Sequence, residues 1–215
     1  MIRKERREDK VKLKECLILQ AAVEVFADKG FHEAEISDIG QKAKVATGVI
    51  YCYFANKLDL LLTISVVGWK NCNSLLEKKL LKIEDPAEKL ELFLKTLWHF
   101  FTADEAALSL AKILLTEELP PDDKVKEKAL KKKVNLIKLH KANFFSVLRG
   151  IIREAQIRGL INKSMNDGAM AQIYYGAIRK LSLSIFDETL YGEPAGYDLQ
   201  DVDIAIKKLV ESFLV

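Results

Sequence analysis

The sequence contains little glycine and proline, and its cysteines are few and scattered. Ten glycines and four prolines in 215 residues, without strand-like alternation of apolar and polar residues, predict an all-α fold. Cys16, Cys52 and Cys72 are an odd number and form no Cys-x-x-Cys pair. We therefore expect reduced thiols, because neither a disulfide framework nor a zinc site has its usual spacing here.

Long apolar runs are also missing. No run approaches the roughly 18 to 20 residues that a membrane-spanning helix needs. The chain begins with a charged segment, where a secretory signal would be apolar. These absences predict a cytoplasmic protein with no membrane partner.

The sequence offers no set of residues for metal binding or catalysis. His32, His99 and His140 lie far apart and belong to no His-Glu-x-x-His or Glu-x-x-His pairing. No pairing of a nucleophile with a base is visible either. We predict no metal, no cofactor and no catalytic residue, although an all-α enzyme stays a remote alternative.

Positive charge is concentrated at the N-terminus. The net charge is only +3, but residues 1–14 hold seven lysines and arginines against three acidic residues. Such an arm can follow phosphates or enter a minor groove. It can equally be a solvated flexible tail.

Two short amphipathic segments adjoin each other between about residues 35 and 54. In the first, Ile36, Ile39 and Ala43 recur at helical spacing, and the second repeats this pattern from Val45 to Phe54. The other face of the second segment carries small or hydrogen-bonding side chains, which are Ala46, Thr47, Gly48, Tyr51 and Cys52. This pattern predicts a helix-turn-helix whose second helix can enter a major groove. The alternative is a pair of core helices in any all-α protein.

From Ile18 to Leu62 the sequence resembles the N-terminal domain of the TetR family of bacterial transcription regulators. The matching residues are Ala21-Ala22, Phe26, Gly30-Phe31, Asp38-Ile39, Tyr51-Cys52-Tyr53-Phe54 and Lys57. Two positions depart from the family pattern. Lys44 replaces the usual turn glycine, which costs about 1 kcal/mol in a left-handed conformation. Ala34 replaces the usual hydroxyl cap, so Glu35 or Ser37 has to compensate.

The resemblance implies a DNA-binding head at residues 1–55 and an effector-binding, dimerising helical body at residues 56–215. It also implies the residues that contact double-stranded operator DNA. Those at the major groove or its edges are Lys44, Ala46, Thr47, Gly48 and Tyr51, and those at phosphates are Tyr53 and Lys57.

Glycine, proline and helix-capping residues predict where the remaining helices begin and end. After a first helix at about 10–29, a long fourth helix begins near Asn56. The later ones are expected at about 86–102, 104–119, 124–158, 167–190 and 199–213, with a loop at 191–196.

Two apolar stripes on the late helices predict a homodimer interface. They contain Leu148, Ile152, Ala155, Met170, Ile173, Ala177, Ile178 and Leu181. Helical DNA readers need two heads about 34–36 Å apart, and TetR-like proteins dimerise through their last two long helices as a four-helix bundle. The alternative is that both stripes face the core of the chain itself.

The middle of the chain is rich in aromatic residues and bordered by lysines. The residues expected at an effector are Trp69, Phe93, Trp98, Phe101, Phe145 and Tyr174, with a basic rim of Lys131, Lys132 and Lys133. An apolar pocket favours a hydrophobic effector, and a basic rim suits a phosphorylated carrier. Plain core and a solvated lysine face are the alternatives.

A closer resemblance, to TetR-like repressors that control fatty-acid degradation in response to acyl-CoA, rests on the residues Ala21–Val25, Gly30-Phe31-His32 and Ile50-Tyr51. The sequence thus predicts a homodimeric, ligand-responsive DNA-binding regulator. We expect a repressor that a hydrophobic effector such as long-chain acyl-CoA releases from its operator. A sensor of an aromatic drug or metabolite and a DNA-binding activator are the other possibilities.

Overall fold

The computed structural model describes residues 2–121, 124–185 and 199–214. Their regular structure is helical, which confirms the all-α prediction, and one isolated bridge joins Ile161 to Leu214. The helices are α1 (Ile2–Glu33), α2 (Ile36–Ala43), α3 (Thr47–Tyr51), α4 (Lys57–Leu80), α5 (Pro86–Thr102), α6 (Glu105–Thr116), α7 (Lys128–Ile157), α8 (Asp167–Ser184) and α9 (Leu199–Glu211). None of the described helices is long and apolar enough to cross a membrane. Below, the head means α1–α3 and the body means α4–α9.

Short polar side chains begin four of these helices. Each accepts a hydrogen bond from the backbone N–H three residues on, over 2.7 to 2.9 Å. These caps are Asn56 for α4, Asp85 for α5, Asp104 for α6 and Asn166 for α8. Such caps satisfy amide groups that have no partner inside the helix. The capping residues therefore allow these helix starts to be predicted from the sequence.

Other boundaries differ from the prediction. The backbone of α1 is already helical at Ile2, earlier than predicted. Gly30, at φ 78° and ψ 159°, is not helical and breaks α1 at the predicted position, and a short helical piece follows it up to Glu33. Helix α6 ends at Thr116 instead of Leu119 because Glu117 is extended. Helix α7 begins four residues later than expected, since Lys124 forms a turn with Pro121. The predicted end of α8 at residue 190 and the loop at 191–196 lie outside the described residues.

Buried apolar residues form two clusters, one for the head and one for the body. The head cluster contains Phe26, Ile39, Ile50 and Phe54, but it also includes Leu60, Leu61 and Ile64 of α4 and Ile113 of α6. The body cluster is centred on α4, α5, α7 and α8. Helices α4 and α6 therefore contribute side chains to both cores, so a movement of either helix has to alter the packing of the head.

Candidate functional site

The turn between α2 and α3 depends on two unusual positions. Lys44 adopts φ 55° and ψ 43°, the left-handed conformation that the sequence predicted for it. Gly40 permits the close approach of the next segment, because an added Cβ would lie 2.9 Å from the carbonyl oxygen of Val45. The Val45 N–H also donates to the Gly40 carbonyl over 2.9 Å. The tight turn therefore requires a glycine at position 40, not at position 44.

The start of α2 is stabilised without the missing hydroxyl. The Glu35 N–H donates to the Asp38 carboxylate over 3.0 Å, and the Ser37 hydroxyl donates to the Glu35 carboxylate over 3.0 Å. Lys29 forms an ion pair with Asp38 at 2.7 Å. The Lys29 hydrogen bond, followed by that of the Glu35 N–H, lowers the pKa of Asp38 below its usual value. Side chains around Ala34 thus compensate for its lack of a hydroxyl.

Helix α3 presents one free face to solvent. Ile50 and Phe54 are buried in the head, whereas Ala46, Thr47, Gly48, Tyr51 and Cys52 are exposed. The Tyr51 side chain is 56% exposed, which is unusual for a large aromatic residue. This face has the shape and chemistry that the sequence predicted for a major-groove reader, and its contacts with DNA stay a prediction.

Lys57 and Tyr53, both expected at phosphates, are partly engaged within the head. The Lys57 ammonium donates to the carbonyls of His32 and Ala34 over 2.9 and 2.8 Å, and it lies 4.8 Å from the centroid of the Phe31 ring. Tyr53 is half-buried beside Phe54. Because an ammonium has three N–H donors, Lys57 keeps one for another acceptor. Its demonstrated contacts join α4 to the end of α1.

A buried carboxylate connects the head to the body. Asp59 in the first turn of α4 is only 8% exposed. One of its oxygens accepts the Ala55 N–H, just beyond α3, over 3.0 Å. The other accepts the Lys133 ammonium of α7 over 2.5 Å, and Lys133 also donates to the Thr63 hydroxyl over 2.6 Å. The segment that follows α3 is thus tied to α7 through the Asp59 side chain.

This contact corrects the prediction of a three-lysine rim. Lys133 points into the junction with α4, so it is not available to a ligand on the outer face of α7. Lys131 and Lys132 are exposed and line an open surface groove of about 740 Å³ together with Leu136 and Leu139. Residues three to four positions apart share a helix face, and consecutive residues do not, which explains why three adjacent lysines have different surroundings.

The aromatic residues expected at an effector are packed inside the body. Trp69, Phe93, Trp98, Phe101 and Tyr174 are at most 2% exposed, and Phe145 is half-buried. Phe144 is at the centre of this cluster. Its ring centroid lies 5.2 to 5.6 Å from those of Trp69, Phe93, Phe145 and Tyr175.

Two of the predicted ligand residues carry unsatisfied polar atoms within this apolar interior. The Trp98 Nε1 and the Tyr174 hydroxyl are buried and have no hydrogen-bond partner among the described residues. Burial raises the pKa of Tyr174 well above its usual value, so its hydroxyl stays neutral. Buried polar groups are normally hydrogen-bonded, so a polar ligand atom would be stabilised beside either of these donors.

The predicted dimer stripes need correction. Leu148, Ile152, Ala155, Met170 and Ile178 are at most 1% exposed in the single chain. They are covered by the chain's own core and cannot contact a second copy in this arrangement. The accessible members are Ile173, which is 48% exposed, and the half-buried Ala177 and Leu181, all on α8. The apolar stripes face inward because α7 packs against α4 and α5, and α8 packs against α5, α6 and α7.

Comparisons with known proteins agree with this geometry. Residues 18–64 match the family described as bacterial regulatory proteins, tetR family. A fatty acid metabolism regulator protein of Bacillus subtilis is 27% identical over 161 residues, which cover 75% of this chain and 77% of the relative. The structural neighbours below are also named as regulators.

Two solved structures share the fold over nearly the whole chain. The transcriptional regulator FadR from Bacillus subtilis, in complex with stearoyl-CoA, is 25% identical with a TM-score of 0.72, and the match covers 94% of this chain and 100% of that one. The fatty acid degradation regulator FadR from Bacillus halodurans is 22% identical with a TM-score of 0.72, and the match covers 92% and 94% of the two chains.

The two glycines of the helix-turn-helix should respond differently to alanine. Gly40→Ala should lower the free energy of unfolding by about 1–3 kcal/mol, because the new Cβ meets a backbone oxygen. A Cβ added at Gly48 would meet no atom within 4 Å. Gly48→Ala should therefore preserve or slightly raise the free energy of unfolding, since alanine is more favourable than glycine in a helix by about 1 kcal/mol. It should nevertheless weaken DNA binding, because a methyl group is added to the reading face. Thermal denaturation and electrophoretic shift measure the two effects. Equal stability of Gly40→Ala and the wild type would contradict this account of the turn.

Proposed function

Because the chain belongs to the TetR family of bacterial transcription regulators, we propose that it is a homodimeric repressor. It binds a double-stranded operator through α3, and a hydrophobic effector such as long-chain acyl-CoA releases it. The observation that carries the DNA-binding part is the exposed face of α3 beside a buried face that fixes its orientation. Lys44, Thr47, Gly48 and Tyr51 lie on or next to this face and read base edges there.

The acyl effector is supported by chemistry and by similarity. An acyl chain gains about 0.8 kcal/mol for each methylene that it buries, and the aromatic interior of the body supplies apolar surface for it. The related regulator from Bacillus subtilis was solved with stearoyl-CoA. A flat aromatic effector is the second candidate, because ring pairs such as those around Phe144 also stack on planar ligands.

Effector binding acts on the head through shared helices. The Lys133 ammonium of α7 donates a hydrogen bond to the Asp59 carboxylate. The same carboxylate accepts one from the N–H of Ala55, which follows the proposed recognition helix α3. A ligand that favours a different placement of α7 relative to α4 therefore favours a different placement of α3. The protein then has two conformations, one that binds the operator and one that does not, and the effector binds the second more tightly. The effector therefore lowers the population of the DNA-binding conformation, and operator affinity falls with it.

The dimer follows from the geometry of DNA reading. One short helix reaches few bases, and two heads on successive major grooves need a fixed separation of about 34–36 Å. We place the contact between copies on the exposed side of α8, around Ile173, since this side retains apolar residues that the chain does not cover. Arg149 and Arg153, paired with Asp167 at 3.3 and 2.7 Å, lie near the start of the same helix.

Operator recognition is tested by selecting DNA from a random pool and measuring binding to the selected duplex. Tyr51→Ala should cost about 1–3 kcal/mol on this duplex because base-edge contacts are lost. Its melting temperature should stay unchanged, since the side chain is mostly exposed. Val67→Ala, at an exposed position of α4 outside this face, is the control and should bind the duplex as the wild type does. Equal operator affinity of Tyr51→Ala and the wild type would exclude α3 as the reading helix.

The effector response is tested by adding stearoyl-CoA to the protein–operator complex. Stearoyl-CoA should raise the melting temperature of the free protein and release the DNA. If a flat aromatic compound does both and stearoyl-CoA does neither, the second candidate replaces the first.

Lys133→Met should separate effector binding from DNA release. The variant loses the link between α7 and Asp59, so stearoyl-CoA should still bind, as calorimetry can measure, but should release the operator less completely. Lys131→Met, at an exposed neighbouring position, is the matched control and should behave as the wild type. Identical release curves for both variants would show that Asp59 does not transmit the response.

The dimer contact is tested with Ile173→Glu, which places a charge on the exposed apolar surface of α8. Sedimentation should show a shift towards monomers and operator affinity should fall, because burying an unpaired charge is costly. Leu81→Glu, at an exposed position beyond the end of α4, is the control. A stable dimer of Ile173→Glu would place the contact elsewhere.

A further inference from the structure

Two basic side chains converge at the edge of the aromatic cluster. The Lys141 ammonium of α7 lies 5.3 Å from the centroid of the Trp69 ring. The Arg179 guanidinium of α8 donates to the carbonyl of Leu115, near the end of α6, from Nε over 3.2 Å and from Nη2 over 2.8 Å. Trp69 packs on the Phe144 ring, and so does Tyr175, which lies one helical turn before Arg179, so both cations border the same aromatic cluster. The pKa of Lys141 is lowered below its usual value, mainly by burial and further by the charge of Arg179.

Two titratable groups of the same cluster, Tyr175 and Cys72, are neutral. Tyr175 packs edge-on against Phe144 and Phe145, with centroids 5.5 and 5.1 Å apart, and burial raises its pKa to about 12. Burial also raises the pKa of the Cys72 thiol to about 12. Both groups are therefore uncharged at neutral pH. Neither Lys141 nor Arg179 forms an ion pair with a carboxylate in the described part of the chain.

Lys141 is half-buried and Arg179 is exposed, so the cost of removing a charge from water falls mainly on Lys141, which has no carboxylate partner in the described part of the chain. Arg179 uses two of its five N–H donors on Leu115, so three are free for an acceptor with the planar geometry that guanidinium prefers. Lys141 keeps its ammonium donors, since its contact with Trp69 is made to the ring face. Together the two side chains offer N–H donors suited to an anionic group.

We propose that Lys141 and Arg179 bind the ionised group of the effector, a carboxylate or a phosphate, while its apolar part packs on the rings around Phe144. This inference rests on the proposed function, because it locates the charged end of the same effector. It assigns that end to the junction of α6, α7 and α8 and not to the lysines at 131–133.

The site also has a direct connection to the head. Arg179 holds the end of α6, and α6 places Ile113 in the head core and hydrogen-bonds Lys112 to the Ala27 carbonyl of α1. An anion that draws the guanidinium away from Leu115 therefore weakens the contact that positions α6. Binding of the charged group and movement of the head are linked through this helix.

Two fluorescent probes with the same ring system and different charge test the site. Anilinonaphthalene sulfonate is an anion, and N-phenyl-1-naphthylamine is its neutral counterpart. Lys141→Gln and Arg179→Gln should each weaken binding of the sulfonate about tenfold or more, because a charge-assisted hydrogen bond is lost. Binding of the neutral probe should change less than twofold. Lys180→Gln, an exposed neighbour of Arg179, should leave both affinities unchanged.

Unchanged sulfonate affinity in both variants, or an equal loss of both probes, would overturn the proposal. Arg179→Lys keeps the positive charge and should bind the sulfonate more tightly than Arg179→Gln does. This difference separates loss of the charge from a disturbance of the local structure. Stearate and stearoyl-CoA then distinguish the source of the anion. If both variants weaken only stearate, the site binds a carboxylate, and if they weaken only stearoyl-CoA, it binds carrier phosphates. If they weaken both lipids equally, the site accepts either anion. If neither lipid binds the wild type, the acyl effector fails, and the probe result decides the anion site separately.

Discussion

The carboxylate of Asp59 is the contact on which the link between head and body depends. It is nearly buried, and both of its oxygens are used, one by the Ala55 N–H and one by the Lys133 ammonium. A buried carboxylate is stable only when it is paired and hydrogen-bonded. The end of the recognition helix and the start of α7 therefore have to keep their positions relative to each other, or Asp59 loses a partner in a poorly hydrated site.

A second connection runs through α6 and reinforces the first. Ile113 belongs to the head core, although it lies about sixty residues beyond the recognition helix. Leu114, on the same helix, packs so closely on α4 that a Cβ at Gly68 would lie 2.8 Å from its side chain. The head is thus packed against two body helices instead of folding around a closed core of its own. Because packed interiors shift between discrete arrangements, a rearrangement of α4 or α6 would also move α3, as the proposed effector response requires.

Periodicity identified apolar faces correctly but not the elements that cover them. Leu148 and Ile178 lie on the apolar stripes that the spacing predicted, yet these stripes face the chain's own core. A stripe at helical spacing has the same appearance in a sequence whether a neighbouring helix or a second copy covers it. The same limit applies to Lys133, because its acidic partner is 74 residues away along the chain. Lys141 and Arg179 are likewise 38 positions apart, and nothing in either segment alone indicates that they meet.

The sequence by itself determined the helical class, the capped starts of α4, α5 and α8, the left-handed turn at Lys44 and the free face of α3. These features follow from interactions between residues a few positions apart, which local spacing and residue type record directly. Tertiary structure alone decided which faces are buried, which lysine meets Asp59, and where two cations gather beside the aromatic cluster. Those outcomes depend on contacts between distant helices, and their energies are set by burial and pairing after the helices have packed.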